Sequence, residues 1–208
     1  MNRQEQILAL VTHVENGRDS LKHVKRNMIG CCLSMNKNDL DVAFSSKSND
    51  WETPSDFYDG LNNIYDFTLD PCATAETTKC PKFFTERENG LLQSWRGERV
   101  FVNPPYSNIG TWAEKSYREY MRENATVVML IPARTDTKYF QKHCMEATSL
   151  GFVQGRLKFD NRSLPSWRAD GSHKKSPAPY PSVLVIFDPM ERGTPQRLKR
   201  FSQKGLLL

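Results

Sequence analysis

Arg99-Val100-Phe101-Val102-Asn103-Pro104-Pro105-Tyr106-Ser107 is the stretch on which the fold of this 208-residue chain is decided. Val100 to Val102 form a short apolar run that feeds straight into Asn-Pro-Pro-Tyr, a pattern that predicts a strand ending at a rigid polar turn. Two successive prolines fix φ and carry no N–H, so the Asn103 side chain and the carbonyls around it are held in one geometry. A planar amino group offers two N–H donors, and a site that grips it without protonating it needs two neutral acceptors. Asn103 Oδ1 and the Pro104 carbonyl supply such a pair. Tyr106 adds a flat face, and stacking of a base on an aromatic ring contributes roughly 1–3 kcal/mol in single-stranded nucleic-acid sites.

Working outward, residues 64–70 read as a second strand that ends at Asp70, where Pro71 turns the chain out of the sheet. Ahead of it, residues 53–61 carry a helix start: Thr53 suits the cap, Pro54 the first helical position, and Phe57, Tyr58 and Leu61 one apolar face. On the other side, residues 111–121 read as an amphipathic helix with Trp112 and Tyr120 turned inward, and residues 126–132 as a strand buried on both faces. That strand's exit places Arg134 in a polar loop. Residues 155–160 and 182–188 read as two final strands, expected as an antiparallel pair closing the sheet edge. Strands alternating with helices define an α/β fold with a largely parallel sheet. Ligands of such sheets lie beyond the carboxyl ends of the strands, which puts Asp70, Pro71, Cys72 and Ala73 at the ligand edge.

Composition narrows the partners. A net charge of +5 and a pI near 8.9 favour an anionic partner, and the loop 161–181 concentrates Trp167, Arg168, His173, Lys174 and Lys175. Mean hydropathy is −0.63, and no apolar run approaches the ~18 residues a membrane span needs. No signal-peptide pattern opens the chain, so a cytoplasmic address is expected. The five cysteines lack C-x-x-C spacing; Cys72 and Cys80 with a distant His143 offer a zinc site on paper, reduced thiols packed as small apolar groups fit the pattern better, and no metal is expected. Residues 1–50 read as a helical arm, broken near Gly17, followed by a polar linker. A main domain over 51–190 and a basic tail over 191–208 complete the division.

Thr53-Pro54, Asp70-Pro71-Cys72-Ala73, Asn89-Gly90-Leu91 and Asn103-Pro104-Pro105-Tyr106, in that order, resemble the phage-type DNA N6-adenine methyltransferases, the phage Dam-like family. The resemblance continues through residues 130–136 and 155–157 and spans about 49 to 190. One departure stands out: the cofactor motif of methyltransferases usually continues Asp-Pro-x-x-Gly-x-Gly, and here no glycine follows Ala73.

The resemblance implies a Rossmann-like, seven-stranded, mostly parallel sheet that uses S-adenosylmethionine to methylate adenine N6 in double-stranded DNA. It places the cofactor over Asp70 to Ala73, with Trp51, Thr53 and Pro54 covering its methionine end and Asn89 near its adenine. A carboxylate after the second strand suits ribose hydroxyls, and Glu86 and Glu88 both qualify. Asn103, Pro104, Pro105 and Tyr106 form the catalytic turn, onto which a flipped adenine is drawn. Arg134, Arg156, Lys158, Lys174 and Lys175 are the expected nucleic-acid contacts, and the site of action is the host cytoplasm if the chain is phage-encoded. Two rivals remain at this point: the same fold acting on cytosine N4, RNA adenine or protein glutamine, and a nucleic-acid-binding relative without activity.

Overall fold

The apolar runs around Val100 and Val128 lie at the centre of a sheet buried on both faces. The computed structural model describes residues 52–159, 176–178 and 180–208. Expectations for the N-terminal arm, for Trp51 and for the loop carrying Lys174 and Lys175 therefore fall outside the described residues. In chain order the elements are helix α1 (Ser55–Tyr65), strands β1 (Leu69–Asp70), β2 (Lys82–Phe83) and β3 (Arg99–Val102), helix α2 (Ile109–Glu123) and strand β4 (Thr126–Pro132). Helix α3 (Lys138–Lys142) and strands β5 (Ser149–Val153), β6 (Lys158–Phe159), β7 (Ser176–Pro177), β8 (Ser182–Phe187) and β9 (Arg197–Phe201) follow.

Seven strands pair in the order β2-β1-β3-β4-β8-β5-β9. All neighbours are parallel except β8, which runs antiparallel to both β4 and β5. This is the expected α/β, Rossmann-like architecture. Alternation along the central strands sends Val100, Val102, Val127, Met129, Ile131, Val183 and Val185 to one face, beneath α2. Phe101, Val128, Leu130, Leu184, Ile186 and Phe201 go to the other, beneath Phe57, Tyr58 and Leu61 of α1.

Several local expectations are corrected. The strand expected over 64–70 is confined to Leu69–Asp70, because α1 persists to Tyr65 and ends at Asp66 in the left-handed region (φ 49°). There the Asp66 N–H donates to the Asn62 carbonyl (2.8 Å), and Asn62 Oδ1 accepts from Phe67 N–H (2.8 Å). Thr53 does not cap α1: Pro54 occupies the cap position with no side-chain bond, and its carbonyl accepts from Phe57 and Tyr58. Residues 182–187 do pair antiparallel, but inside the sheet, whereas Lys158–Phe159 forms a separate ladder with β7. The stretch 191–208, set apart in sequence as a tail, supplies the edge strand β9 beside β5.

Beyond β9 the chain turns at Gly205 (φ +69°) and lies against α1. A Cβ on Gly60 would strike the Lys204 carbonyl, and one on Gly205 would strike the Phe57 carbonyl, so both glycines are required by backbone-to-backbone contact. Gly60→Ala is expected to cost about 1–3 kcal/mol in denaturant unfolding, the usual price of overpacking. Gly110→Ala, whose added carbon meets only Tyr139 Cβ at 3.5 Å, should leave stability unchanged or slightly higher.

Candidate active site

A cleft of about 1000 Å³ opens over the carboxyl ends of β1 and β3. Its position follows from the parallel half of the sheet, where the adjacent strands β1 and β3 end at the same edge, ahead of Pro71 and Pro104. Asp70, Pro71, Cys72 and Ala73 line it from β1, Asn103 and Pro105 from β3, and Thr53 from the approach to α1. Glu86 and Asn89 complete the wall beyond β2. Four separate stretches of the sequence reading are thus brought together around one space.

The two acidic candidates separate. Glu86 lines the cleft, whereas the Glu88 carboxylate turns back to accept from Thr85 N–H and Thr85 Oγ1, both at 2.9 Å, which holds its pKa below the ordinary value. Pro104 is buried. Tyr106 is half-buried, starts the short turn Tyr106–Asn108, packs against the α2-side core and is not among the residues that line the cleft; desolvation raises its hydroxyl pKa.

Asn103 is tied at both its ends. Its Nδ2 donates to Thr53 Oγ1 (3.1 Å), and its main-chain carbonyl accepts from the Cys72 thiol (3.4 Å). Cys72 N–H in turn donates to Asp70 Oδ1 (3.2 Å), so the ends of β1 and β3 are cross-linked through one cysteine. Burial, then the Asp70 charge beside it, pushes the Cys72 thiol well up, which suits it as a packed donor. Burial also raises Asp70, to a pKa of about 6, and the contacts from Cys72 and the charge of Lys79 offset only part of this.

Close approach is supplied by Gly90. A Cβ there would strike the Pro71 carbonyl, so only glycine lets the Asn89–Leu91 backbone press on the β1 turn. The Gly90 carbonyl accepts from Trp95 Nε1 (3.0 Å), and Trp95 is held in turn by two charged side chains of α2. Its N–H donates to Glu119 Oε2 (2.8 Å); Lys115 Nζ donates to Glu119 Oε1 and to the Gln93 carbonyl, both at 2.6 Å, and lies 5.2 Å from the Trp95 ring centre. Trp95 also stacks on Trp112, which lines the cleft, with ring centres 6.2 Å apart. The amphipathic helix expected over 111–121 turns Trp112 and Tyr120 inward and leaves Lys115 and Glu119 unassigned; their i, i+4 spacing is the signal that points to the pair.

The cationic candidates lie elsewhere on the carboxyl edge. Arg134, exposed past the end of β4, stands over the Tyr180 ring at 5.7 Å. Arg156 follows β5 and donates to the Ala178 carbonyl (3.2 Å), and Lys158 is exposed at the start of β6. Because β4 and β5 run parallel to β3, these side chains emerge on the same edge as the Asn103 turn. Among the described residues no group of three or more His, Cys, Asp or Glu is disposed to hold a metal ion, and no helix is long and apolar enough to cross a membrane.

A cleft walled by acidic and amide side chains, at the carboxyl edge of a seven-stranded, mostly parallel sheet, is the arrangement of a Rossmann-like methyltransferase. The comparisons agree. The family model for DNA N-6-adenine-methyltransferase (Dam) matches residues 42–205. The DNA N-6-adenine-methyltransferase of Haemophilus phage HP1 (strain HP1c1) is 28% identical over 165 residues, which cover 76% of this chain and 91% of that protein. The DNA N-6-adenine-methyltransferase of Escherichia phage T1 is 30% identical over 112 residues, 53% of this chain and 47% of its own length. The chain belongs to the DNA N-6-adenine-methyltransferase (Dam) family, and with it to a family of enzymes.

The raised pKa of Asp70 has a consequence for stability. Between the ordinary carboxyl value of 3.8 and about 6 the folded state binds more protons than the unfolded state at this position, so folding stability falls as pH rises through that window. Asp70→Asn, which keeps the acceptor for Cys72 N–H, removes this dependence. Its stability relative to wild type should therefore increase from pH 4 to pH 7 in denaturant unfolding; a constant difference would show that Asp70 is not held in this way.

Proposed function

We propose that this protein transfers a methyl group from S-adenosylmethionine to the N6 amine of adenine in DNA. The observation that carries the reading is Asn103 at the rim of the cleft, its amide held by Thr53 at the end of β3, with Asp70 and Glu86 on the walls of the same space. The cleft suits the cofactor. Its carboxylates match a cationic donor with ribose hydroxyls, Asn89 offers a polar side chain, and the Gly90 contact with the Pro71 carbonyl seats the Asn89–Leu91 stretch against the β1 turn that lines the cleft. In this reading Asp70 to Ala73, with Thr53 and Pro54, hold the methionine end and Glu86 the ribose. When bound, S-adenosylmethionine supplies an electrophilic methyl group on a sulfonium.

The protein's own residues act on the amine. Conjugation with the ring withdraws the N6 lone pair, so the amine is a poor nucleophile. Asn103 Oδ1 and the Pro104 carbonyl accept its two N–H groups, which returns electron density to nitrogen and fixes its direction toward the cleft. Catalysis comes from positioning and from preorganised dipoles, with the prolines holding both acceptors before the base arrives. A base within a duplex is out of reach of such a turn, so the adenine is flipped out and stacks on Tyr106. Arg134, Arg156 and Lys158 hold the backbone of double-stranded DNA along the same edge, in the cytoplasm of the host cell.

The test follows labelled methyl transfer from S-adenosylmethionine to unmethylated DNA, with RNA and protein offered separately and the product base identified by mass spectrometry. Wild type should yield N6-methyladenine in DNA. Asn103→Ala should lose at least ~10²-fold in kcat, as loss of one transition-state hydrogen bond does, while its calorimetric affinity for the cofactor stays near that of wild type. Label on RNA or protein alone would replace the substrate in this reading, and a fully active variant would remove Asn103 from it.

A further inference from the structure

Thr53 is 6% exposed and lies just ahead of α1. A threonine followed by Pro54 reads as a helix cap, yet the helix makes no use of the hydroxyl: the Pro54 carbonyl accepts from Phe57 and Tyr58, and no side chain caps the first turn. The hydroxyl instead accepts from a side chain fifty residues away, Asn103 Nδ2 at 3.1 Å. Packing therefore places this oxygen on the asparagine.

An asparagine amide has a broad, roughly two-fold terminal torsion, so its oxygen and nitrogen ends exchange easily unless neighbours distinguish them. An acceptor facing Nδ2 makes that distinction, and the planarity of the amide then sets the direction of Oδ1. We propose that Thr53 is a positioning residue for transfer: by accepting from Asn103 Nδ2 it turns Asn103 Oδ1 toward the target amine. This rests on the role given to Asn103 above. The support for Thr53 is itself rigid. Helix α1 lies on the apolar face of the sheet, and the contacts of Gly60 with the Lys204 carbonyl and of Gly205 with the Phe57 carbonyl fix it against the C-terminal turn.

Thr53→Val keeps the volume and removes the acceptor; Thr53→Ser keeps the acceptor. With unmethylated DNA and labelled S-adenosylmethionine at saturation, Thr53→Val should lower kcat about tenfold, the scale of one net hydrogen bond, with KM for DNA little changed; calorimetry reads separately any change in cofactor affinity from the place of Thr53 in the cleft wall. Thr53→Ser should restore kcat. In an Asn103→Ala background Thr53→Val should add no further loss, because residues acting through one group are not additive. Cofactor binding by each variant reports that it is folded. A Thr53→Val enzyme with wild-type kcat, a Thr53→Ser enzyme as impaired as the valine variant, or additive losses in the double variant would each overturn the positioning role alone. Absence of transfer by wild type would overturn it together with the reading of Asn103, so the two failures are distinguishable.

Discussion

The constraint on which this structure depends is the burial of β3, β4 and β8 on both faces. Val100, Val102, Val127, Met129, Ile131, Val183 and Val185 pack under α2, and Phe101, Val128, Leu130, Leu184 and Ile186 pack under α1. A one-residue slip of any of these strands would exchange the two sets, and each set is shaped for a different helix. Register is thereby fixed at Phe101↔Val128 and Val128↔Ile186. Once it is fixed, the height at which Pro104 ends β3 is fixed too, and with it the position of Asn103 relative to Asp70 on the neighbouring strand.

The same physics explains what could be read from the chain. Strands β3, β4 and β8 were legible because two-sided burial demands an unbroken apolar run, and α2 because one-sided burial demands a 3.6-residue period. Strand β5 escaped because Gly151 interrupts it; the Phe201 ring occupies the space where that residue's Cβ would lie, so the interruption is itself the packing signal. Strand β9 escaped because Arg197, Lys199 and Arg200 read as a solvated tail. It is an edge strand, where cationic side chains are compatible with pairing on one side, and Glu191 partners Arg197 and Lys199 there. The Asn103 turn and the Asp70 stretch were visible as chemistry. The role of Thr53 was not, because local rules for helix starts explain a Thr-Pro pair completely and nothing in the sequence points fifty residues onward.

Charge burial separates the two functions of the site's surroundings. Lys115 and Glu119 are both buried, but each has its partner and further bonds to the Gln93 and Trp95 backbone, so their desolvation is offset and the loop over the cleft is held to α2. Burial raises the Asp70 carboxyl pKa, and the N–H and thiol of Cys72 together with a lysine charge offset only part of that rise. A carboxyl group raised by burial in a cleft is the kind of environment in which ligand-binding and catalytic groups are commonly found.

The missing glycines after Ala73 fit the same view. A glycine-rich turn brings backbone close to a ligand because no Cβ intervenes. Here the turn after β1 keeps Cys72 and Ala73, and the side chain of Cys72 is spent on bonding the Asn103 carbonyl, which ties the two strand ends together. Gly90 packs directly on the Pro71 carbonyl, where a Cβ would clash, and Trp95 Nε1 donates to the Gly90 carbonyl, so the Asn89–Leu91 stretch is seated on the β1 turn. The turn after β1 is therefore shaped by contacts within the protein, from the Cys72 side chain toward β3 and from Gly90 against Pro71, and these hold it in place without a glycine of its own.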